Sequence, residues 1–456
     1  MDPTIFKAYD IRGIYPDQIS EEDAWKIGYA SAQFLRSMLH GYERGLAHRQ
    51  AICVGRDMRT HSQAITTSLI AGMNATGANV IDIGMIDTPQ MYFAINHLGS
   101  CGGVQVTASH NPAKYNGFKI SGLDARPVGI DTGMKDIQHL AMALLHTKGI
   151  AKGSVKQRDL TDEYKSHVLK FLKPKKRKLK IAVDASNGMA GKMIPAVFGK
   201  LPMEIIKLNF EHKGEFKHEP NPLVEENLSE LKRVVKKQKC DFGVCFDGDA
   251  DRLMVVSEKG KPIACDLLTA LMTPYFLSIA PKSAVVYDLR SSRIVPEQIV
   301  KNGGTPRRER VGHAFMKKTM RDRRAIFGGE LSGHFYYRDN YYADSGLITL
   351  VHLLNIINDT KVPISELIKP LKKYHSSGEL NFEVEQKQAK MDELAKKYKD
   401  GEIDYLDGIT VQYKQWWFNC RPSNTEPLLR LNAEAKTKKM LTEKLDQLKG
   451  CLGKPV

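Results

Sequence analysis

One pattern recurs three times along this chain, and it constrains the fold more than any other feature. A short apolar run ends in charged residues: Val54-Gly55-Arg56-Asp57, Val183-Asp184 and Tyr287-Asp288-Leu289-Arg290. In each case a second apolar run follows, at 103–106, 243–246 and 325–327, and opens into a polar loop at 107–112, 247–252 and 328–334. Repetition of one strand-and-loop module implies three related domains, each presenting one loop to a shared cleft. Helical-looking stretches between the β-branched runs predict parallel α/β layers.

A chain of 456 residues exceeds what one hydrophobic core organises, which agrees with several domains. After about residue 370 the pattern changes to strand, charged helix (390–399), strand, Trp416-Trp417-Phe418 and a fourth polar loop, 421–427. We therefore expect domains at 1–150, 151–255, 256–368 and 369–456, the last a smaller α+β unit. The polar stretches 148–156 and 369–378 read as linkers.

The formal charge of +16 favours anionic partners such as phosphorylated metabolites, nucleic acid or an acidic membrane. The densest basic run, 173–178, has no interleaved aromatic residues to stack bases and reads as a solvated linker. The seven cysteines include no CxxC pair, so they read as structural thiols of a reducing cytosol, not as a disulfide framework or zinc site. The amino terminus has no signal-peptide apolar segment, and no run reaches the roughly 18 apolar residues of a membrane helix. A cytoplasmic protein with neither nucleic acid nor membrane as partner is expected.

The loops carry the chemistry. Asp247-Gly248-Asp249-Ala250-Asp251-Arg252 spaces carboxylates at i, i+2 and i+4, an arrangement able to converge hard oxygen ligands on one Mg²⁺. A calcium hand is excluded despite Glu258 at the twelfth position, because the sixth, which must be glycine, is Arg252. Solvated acidic turn residues are the other reading, although three carboxylates this close repel unless a cation offsets them. Phe246-Asp247-Gly248-Asp249 also resembles the strand-end Asp-x-Asp of haloacid-dehalogenase-type phosphatases, in which the first Asp is the nucleophile.

Ser109 lies in Thr107-Ala108-Ser109-His110-Asn111-Pro112, without the G-x-S-x-G elbow of a hydrolase triad. A phosphoryl group on Ser109, with a charge of about −1.5 to −2, could meet the metal of the acidic loop while His110, Lys119 and Arg252 balance the remainder. Ser-His-Asn-Pro is equally good turn chemistry, and both readings stand. Glu330, Ser332 and His334 suit vicinal sugar hydroxyls and a proton transfer, with a structural histidine as the alternative. Arg421, Ser423, Asn424 and Thr425 combine the donors that bind a phosphate dianion, with surface-loop capping as the alternative.

Read in chain order, the four loops closely resemble those of the α-D-phosphohexomutase superfamily, especially its bacterial phosphomannomutase/phosphoglucomutase branch. Supporting matches are Tyr9-Asp10-Ile11-Arg12-Gly13, Gly55-Arg56-Asp57 and Gly117-Phe118-Lys119. The resemblance implies three related α/β domains with mixed sheets plus a C-terminal α+β domain, heart-shaped around a central cleft. It implies interconversion of hexose 6-phosphate and hexose 1-phosphate through phospho-Ser109 and a hexose 1,6-bisphosphate, by a monomer or weak dimer.

Carried onto this chain, the resemblance has Ser109, Asp247, Asp249 and Asp251 hold Mg²⁺. Lys119 and His334 transfer protons, Arg12 and His110 lie near the phosphoryl group, and Arg252 supports it. Glu330 and Ser332 hold the sugar hydroxyls, Arg421, Ser423, Asn424 and Thr425 grip the non-reacting phosphate, and Tyr9 contacts substrate. Arg290 stands where relatives commonly have Lys, and His313 fits the matching sugar-side position. Gly-Glu-Leu-Ser-Gly-His is closer to the mannose/glucose type than to phosphoglucosamine mutases, which remain the alternative together with an Asp-nucleophile phosphatase.

Overall fold

The computed structural model describes residues 1–39, 50–145, 153–174, 177–423 and 428–456. The repeated module is visible as repeated strand pairing. Gly102–Val106 lies parallel to Ile52–Arg56, which lies parallel to Val80–Met85. Phe242–Phe246, Lys180–Asp184 and Glu204–Leu208 repeat that trio in the same order, as do Phe327–Gly329, Ala284–Asp288 and Thr305–Glu309. Each polar loop thus leaves a strand flanked by the one that opened its module.

Burial explains the composition of these strands. All five residues of Gly102–Val106 and of Phe242–Phe246 are buried, which is why, apart from Gln105, both runs are made of small and apolar residues. The sheets are mixed, because the chain returns from each of the first two loops in the antiparallel sense. Tyr115–Ser121 pairs with Gly102–Val106, and Leu253–Ser257 with Phe242–Phe246. The hairpin of Phe335–Tyr337 with Ala343–Asp344 follows the third loop.

Helix boundaries follow local chemistry. Glu21–Ser37 opens with a capping box between Ser20 and Asp23. Thr88–Leu98 has Asp87 as its N-cap, accepting from Gln90 N, Pro89 in its first turn and Gly99 at φ 62° as its C-cap. The last sheet, ordered His375–Glu383, Leu428–Ala435, Trp416–Pro422, Ile409–Gln412 and Glu402–Asp404, is antiparallel throughout. Helices Lys387–Lys397 and Lys438–Leu452 accompany it, and Phe382, Leu394, Phe418, Leu431 and Leu448 form its core.

Contacts divide the chain into two compact units. One comprises Met1–Ile263 with Ser332–Ser365, the other Ala264–Leu331 with Glu366–Val456. Among the described residues no helix is long and apolar enough to cross a membrane.

Several expectations need correction. The supposed linker 148–156 ends in strand Val155–Gln157, which adds to the first sheet beside Val80–Met85; its three residues are all exposed, so no apolar alternation marks them. The supposed linker 369–378 contains a turn of helix, Lys369–Leu371, and the start of strand His375–Glu383. The second sheet runs past residue 255, because Leu253–Ser257 pairs with Pro262–Ile263. Within the basic run, Lys175 and Lys176 lie outside the described residues, whereas Arg177 is ion-paired with Asp241 at 2.9 Å.

Candidate active site

Ser109 occupies the mouth of Gly102–Val106 in the left-handed region, φ 51°. For a non-glycine residue that conformation costs about 1–2 kcal/mol, and identifiable groups hold it. Thr107 Oγ1 accepts from Ser109 N at 2.9 Å and donates to Asp57 Oδ2 at 2.7 Å. Arg59 lies beneath the loop, its side chain buried, and all five of its N–H donors find acceptors. Nε bonds Asp57 Oδ2, Nη1 the carbonyls of Pro112 and Tyr115, and Nη2 those of Ser109 and Asn111, between 2.7 and 3.0 Å.

The acidic loop meets this serine directly. Ser109 Oγ donates to Asp247 Oδ2 at 3.1 Å and lies 3.3 Å from His110 Nδ1. Gly248 is needed at the contact, since a Cβ there would sit 2.3 Å from the Ser109 carbonyl oxygen. Asp247, Asp249 and Asp251 are all buried and bring carboxylate oxygens within 4.8 Å of one another. Thr88 Oγ1 donates to Asp249 Oδ2 at 2.6 Å, tying the loop to the start of Thr88–Leu98.

Lys119, on Tyr115–Ser121, donates to Asp249 and Asp251, 2.6 Å each. Burial disfavours its ammonium, but the two carboxylates outweigh that and raise its pKa above the ordinary lysine range. Burial likewise disfavours ionised Asp249 and Asp251, yet Lys119, joined at Asp251 by His334, lowers both below the usual carboxylate range. Asp247 is raised well above that range by burial and by its two acidic neighbours. Burial, then Arg252, Arg12 and Lys119, depress His110 well below a free imidazole, leaving a neutral ring.

The donor set fits a hard divalent ion: three buried carboxylates, with Asp249 Oδ1 lacking a hydrogen-bond partner among the described residues. Around them, Arg252 Nε lies 3.5 Å from Asp247 and His334 Nε2 3.4 Å from Asp251. Ser332 Oγ bonds His334 Nδ1 at 2.8 Å. Arg12, ion-paired with Asp10 at 2.6 Å, donates to Asn111 Oδ1 of the serine loop. Tyr9 is half-buried in the segment leading to strand Ile11–Ile14, which carries Arg12.

The second unit carries the other predicted residues. Glu330 accepts from Gly312 N at 3.0 Å, and His313 begins helix His313–Asp322. Arg290 is paired with Asp288 at 2.8 Å, and Arg421 with Glu379 at 2.7 Å. Ser423 is buried, its N donating to Leu428 O, whereas Asn424 and Thr425 lie outside the described residues. Sequence reasoning missed Arg59, Thr88 and Glu379. Of these only Arg59 left a trace, a charge pair with Asp57 directly after a buried apolar strand.

Four family models, together spanning nearly the whole chain, match in order. They describe phosphoglucomutase/phosphomannomutase alpha/beta/alpha domains I, II and III at residues 3–143, 162–260 and 265–374, and the C-terminal domain at 379–449. The chain belongs to the phosphoglucomutase/phosphomannomutase family. A phosphomannomutase of Vibrio cholerae is 37% identical over 98% of this chain and 97% of its own length. Phosphohexose mutases of Xanthomonas campestris are 38% identical over 96% of each chain. The crystal structure of a phosphoglucomutase/phosphomannomutase family protein from Burkholderia thailandensis superposes with a TM-score of 0.90 at 32% identity, covering 100% of this chain and 99% of that one. The chain is accordingly a phosphohexomutase, an enzyme that transfers a phosphoryl group.

Proposed function

We propose that this phosphohexomutase interconverts the 6- and 1-phosphates of mannose, and of glucose, with Ser109 as the phosphoryl carrier. The contact of Ser109 Oγ with Asp247 at 3.1 Å, inside a buried carboxylate trio, carries the reading. In the first half-reaction the bond from phosphorus to Ser109 Oγ breaks and one to the free sugar hydroxyl forms, giving a hexose 1,6-bisphosphate. In the second, the other phosphoryl group returns to Ser109. The names of the relatives support mannose as the sugar.

Asp247, Asp249, Asp251 and an oxygen of phospho-Ser109 would hold Mg²⁺. When bound, the ion supplies charge neutralisation at the transferring phosphoryl group. Arg12 and Arg252 balance the rest of that charge, and neutral His110, beside Ser109 Oγ, offers a hydrogen bond instead of a charge. Lys119, kept as an ammonium by two carboxylates, is suited to donate a proton to Ser109 Oγ or the sugar oxygen as it departs. His334, oriented by Ser332, is suited to take the proton of the attacking hydroxyl. Tyr9, Arg290, His313, Glu330 and Ser332 would bind the sugar, and Arg421, Ser423, Asn424 and Thr425 its non-reacting phosphate.

Domain limits near 150 and 368, a cytoplasmic location and a monomer or weak dimer complete the reading. None of the seven cysteines is joined in a disulfide, which supports the reducing compartment. Peptide mass spectrometry is expected to find phosphate on Ser109, and Ser109→Ala is expected to lose several orders of magnitude in mutase kcat/KM. Full activity in that variant refutes the proposal. Phosphate release from mannose 1-phosphate that persists in Ser109→Ala would instead identify Asp247 as a phosphatase nucleophile.

A further inference from the structure

The arginines of the second unit are arranged in a way the reaction alone does not require. Arg421 on Trp416–Pro422 stands directly opposite Arg430 on the neighbouring antiparallel strand Leu428–Ala435. Like charges at opposed positions repel, and burial aggravates this, since Arg421 is 2% exposed. The strand on the other side, His375–Glu383, places Glu379 opposite Asn432, diagonal to Arg430. Its carboxylate accepts from Arg421 Nη2 at 2.7 Å through Oε2 and from Arg430 Nη1 at 3.2 Å through Oε1. Arg290 Nη1 approaches the same Oε2 at 3.5 Å while its Nε and Nη2 are engaged by Asp288.

One carboxylate therefore serves three guanidinium groups. Burial works to raise the Glu379 pKa, but Arg290, Arg421 and Arg430 outweigh it and hold the group ionised. The arrangement is not exhausted by these bonds. Arg421 Nε is buried and has no hydrogen-bond partner among the described residues, a donor left over on a guanidinium whose other side is already fixed. A neutral residue at 379 would leave Arg421 facing Arg430 and Arg290 with Asp407 as its remaining counter-charge and without its ion-pair partner.

We infer that Glu379 is a positioning residue of the phosphate grip: it holds Arg421 and Arg430 side by side against their repulsion and leaves Arg421 oriented toward the non-reacting phosphate of the hexose. The inference rests on the assignment of Arg421 to phosphate binding given above. That phosphate is bound alike in ground and transition states, so loss of its orientation raises KM and leaves kcat nearly unchanged. A group that merely stabilised the fold would not separate the two constants.

The test compares Glu379→Gln, Glu379→Asp and Arg421→Ala in the full chain. KM and kcat for mannose 1-phosphate and the inhibition constant of inorganic phosphate are measured. Glu379→Gln is expected to raise KM and the phosphate inhibition constant in parallel by about tenfold, the worth of one hydrogen bond to a charged group, with kcat within about twofold. Unchanged or tighter constants overturn the inference; tightening means that Glu379 competes with the phosphate. If Arg421→Ala raises KM in that same experiment, the phosphate assignment survives on its own. An unaltered KM in Arg421→Ala overturns both. Should Glu379→Gln fail to fold, Glu379→Asp withdraws the charge by one methylene and is expected to show a smaller rise in both constants, with unchanged constants again decisive against the inference.

Discussion

Arg59 shows why a single residue can govern a loop it never enters. Its guanidinium holds four carbonyl oxygens at or near the serine turn and is anchored by Asp57, with the Phe216 ring 5.2 Å away. A lysine would preserve the charge but could not span four carbonyls with one ammonium. Arg59→Lys is therefore expected to relax the left-handed Ser109 and lower kcat by about 10²-fold, the scale of a 1 Å misplacement of a reacting group. Single-turnover transfer from phospho-Ser109 measures this; an unchanged rate would show that the turn is held without Arg59. Ser109 and its aspartate partners were legible because each motif is contiguous. Arg59, Thr88 and Glu379 were not, since their importance lies in acceptors supplied from elsewhere in the chain.

At the scale of elements, helix Thr88–Leu98 links a cap to the acidic loop. Asp87 accepts from Gln90 N and from Tyr164 Oη, while Thr88 bonds Asp249. Burial pushes the Asp87 carboxyl up to about 7, far above its value near 4 in an unfolded chain. Between those values the folded state binds the additional proton, so stability falls as pH rises from about 4 to 7. Asp87→Asn, which retains a capping oxygen, is expected to raise Tm relative to the unaltered protein at pH 8 and to differ little at pH 4. Thermal unfolding followed at both pH values checks the sign, and a lower Tm at pH 8 would contradict it. The strand that opens each module and the one that leads to its loop were legible at this scale because strands buried on both faces give largely apolar runs, whereas Glu204–Leu208 and Thr305–Glu309 are partly exposed, carry charged residues and left no such signal. Val155–Gln157 was missed because an exposed edge strand gives no such signal.

For the whole molecule, the charge of +16 belongs with an anionic substrate. Attraction over several ångströms is screened by salt, so kcat/KM is expected to fall severalfold between about 0.02 and 0.5 M NaCl, with kcat much less affected. Steady-state rates across that range decide it, and a salt-independent kcat/KM would mean that the net charge does not assist substrate capture. The sequence alone determined the number of modules, the order of the four loops and the chemical type of each, because those properties depend on local apolar patterning and on side chains adjacent in the chain. Only the tertiary structure decided which charges meet. Lys119 bridges carboxylates 130 and 132 residues away, and Glu379 reaches an arginine 42 residues away. Such pairings are set by strand register and by the desolvation that makes an unpaired buried charge costly, and neither is encoded in a contiguous motif.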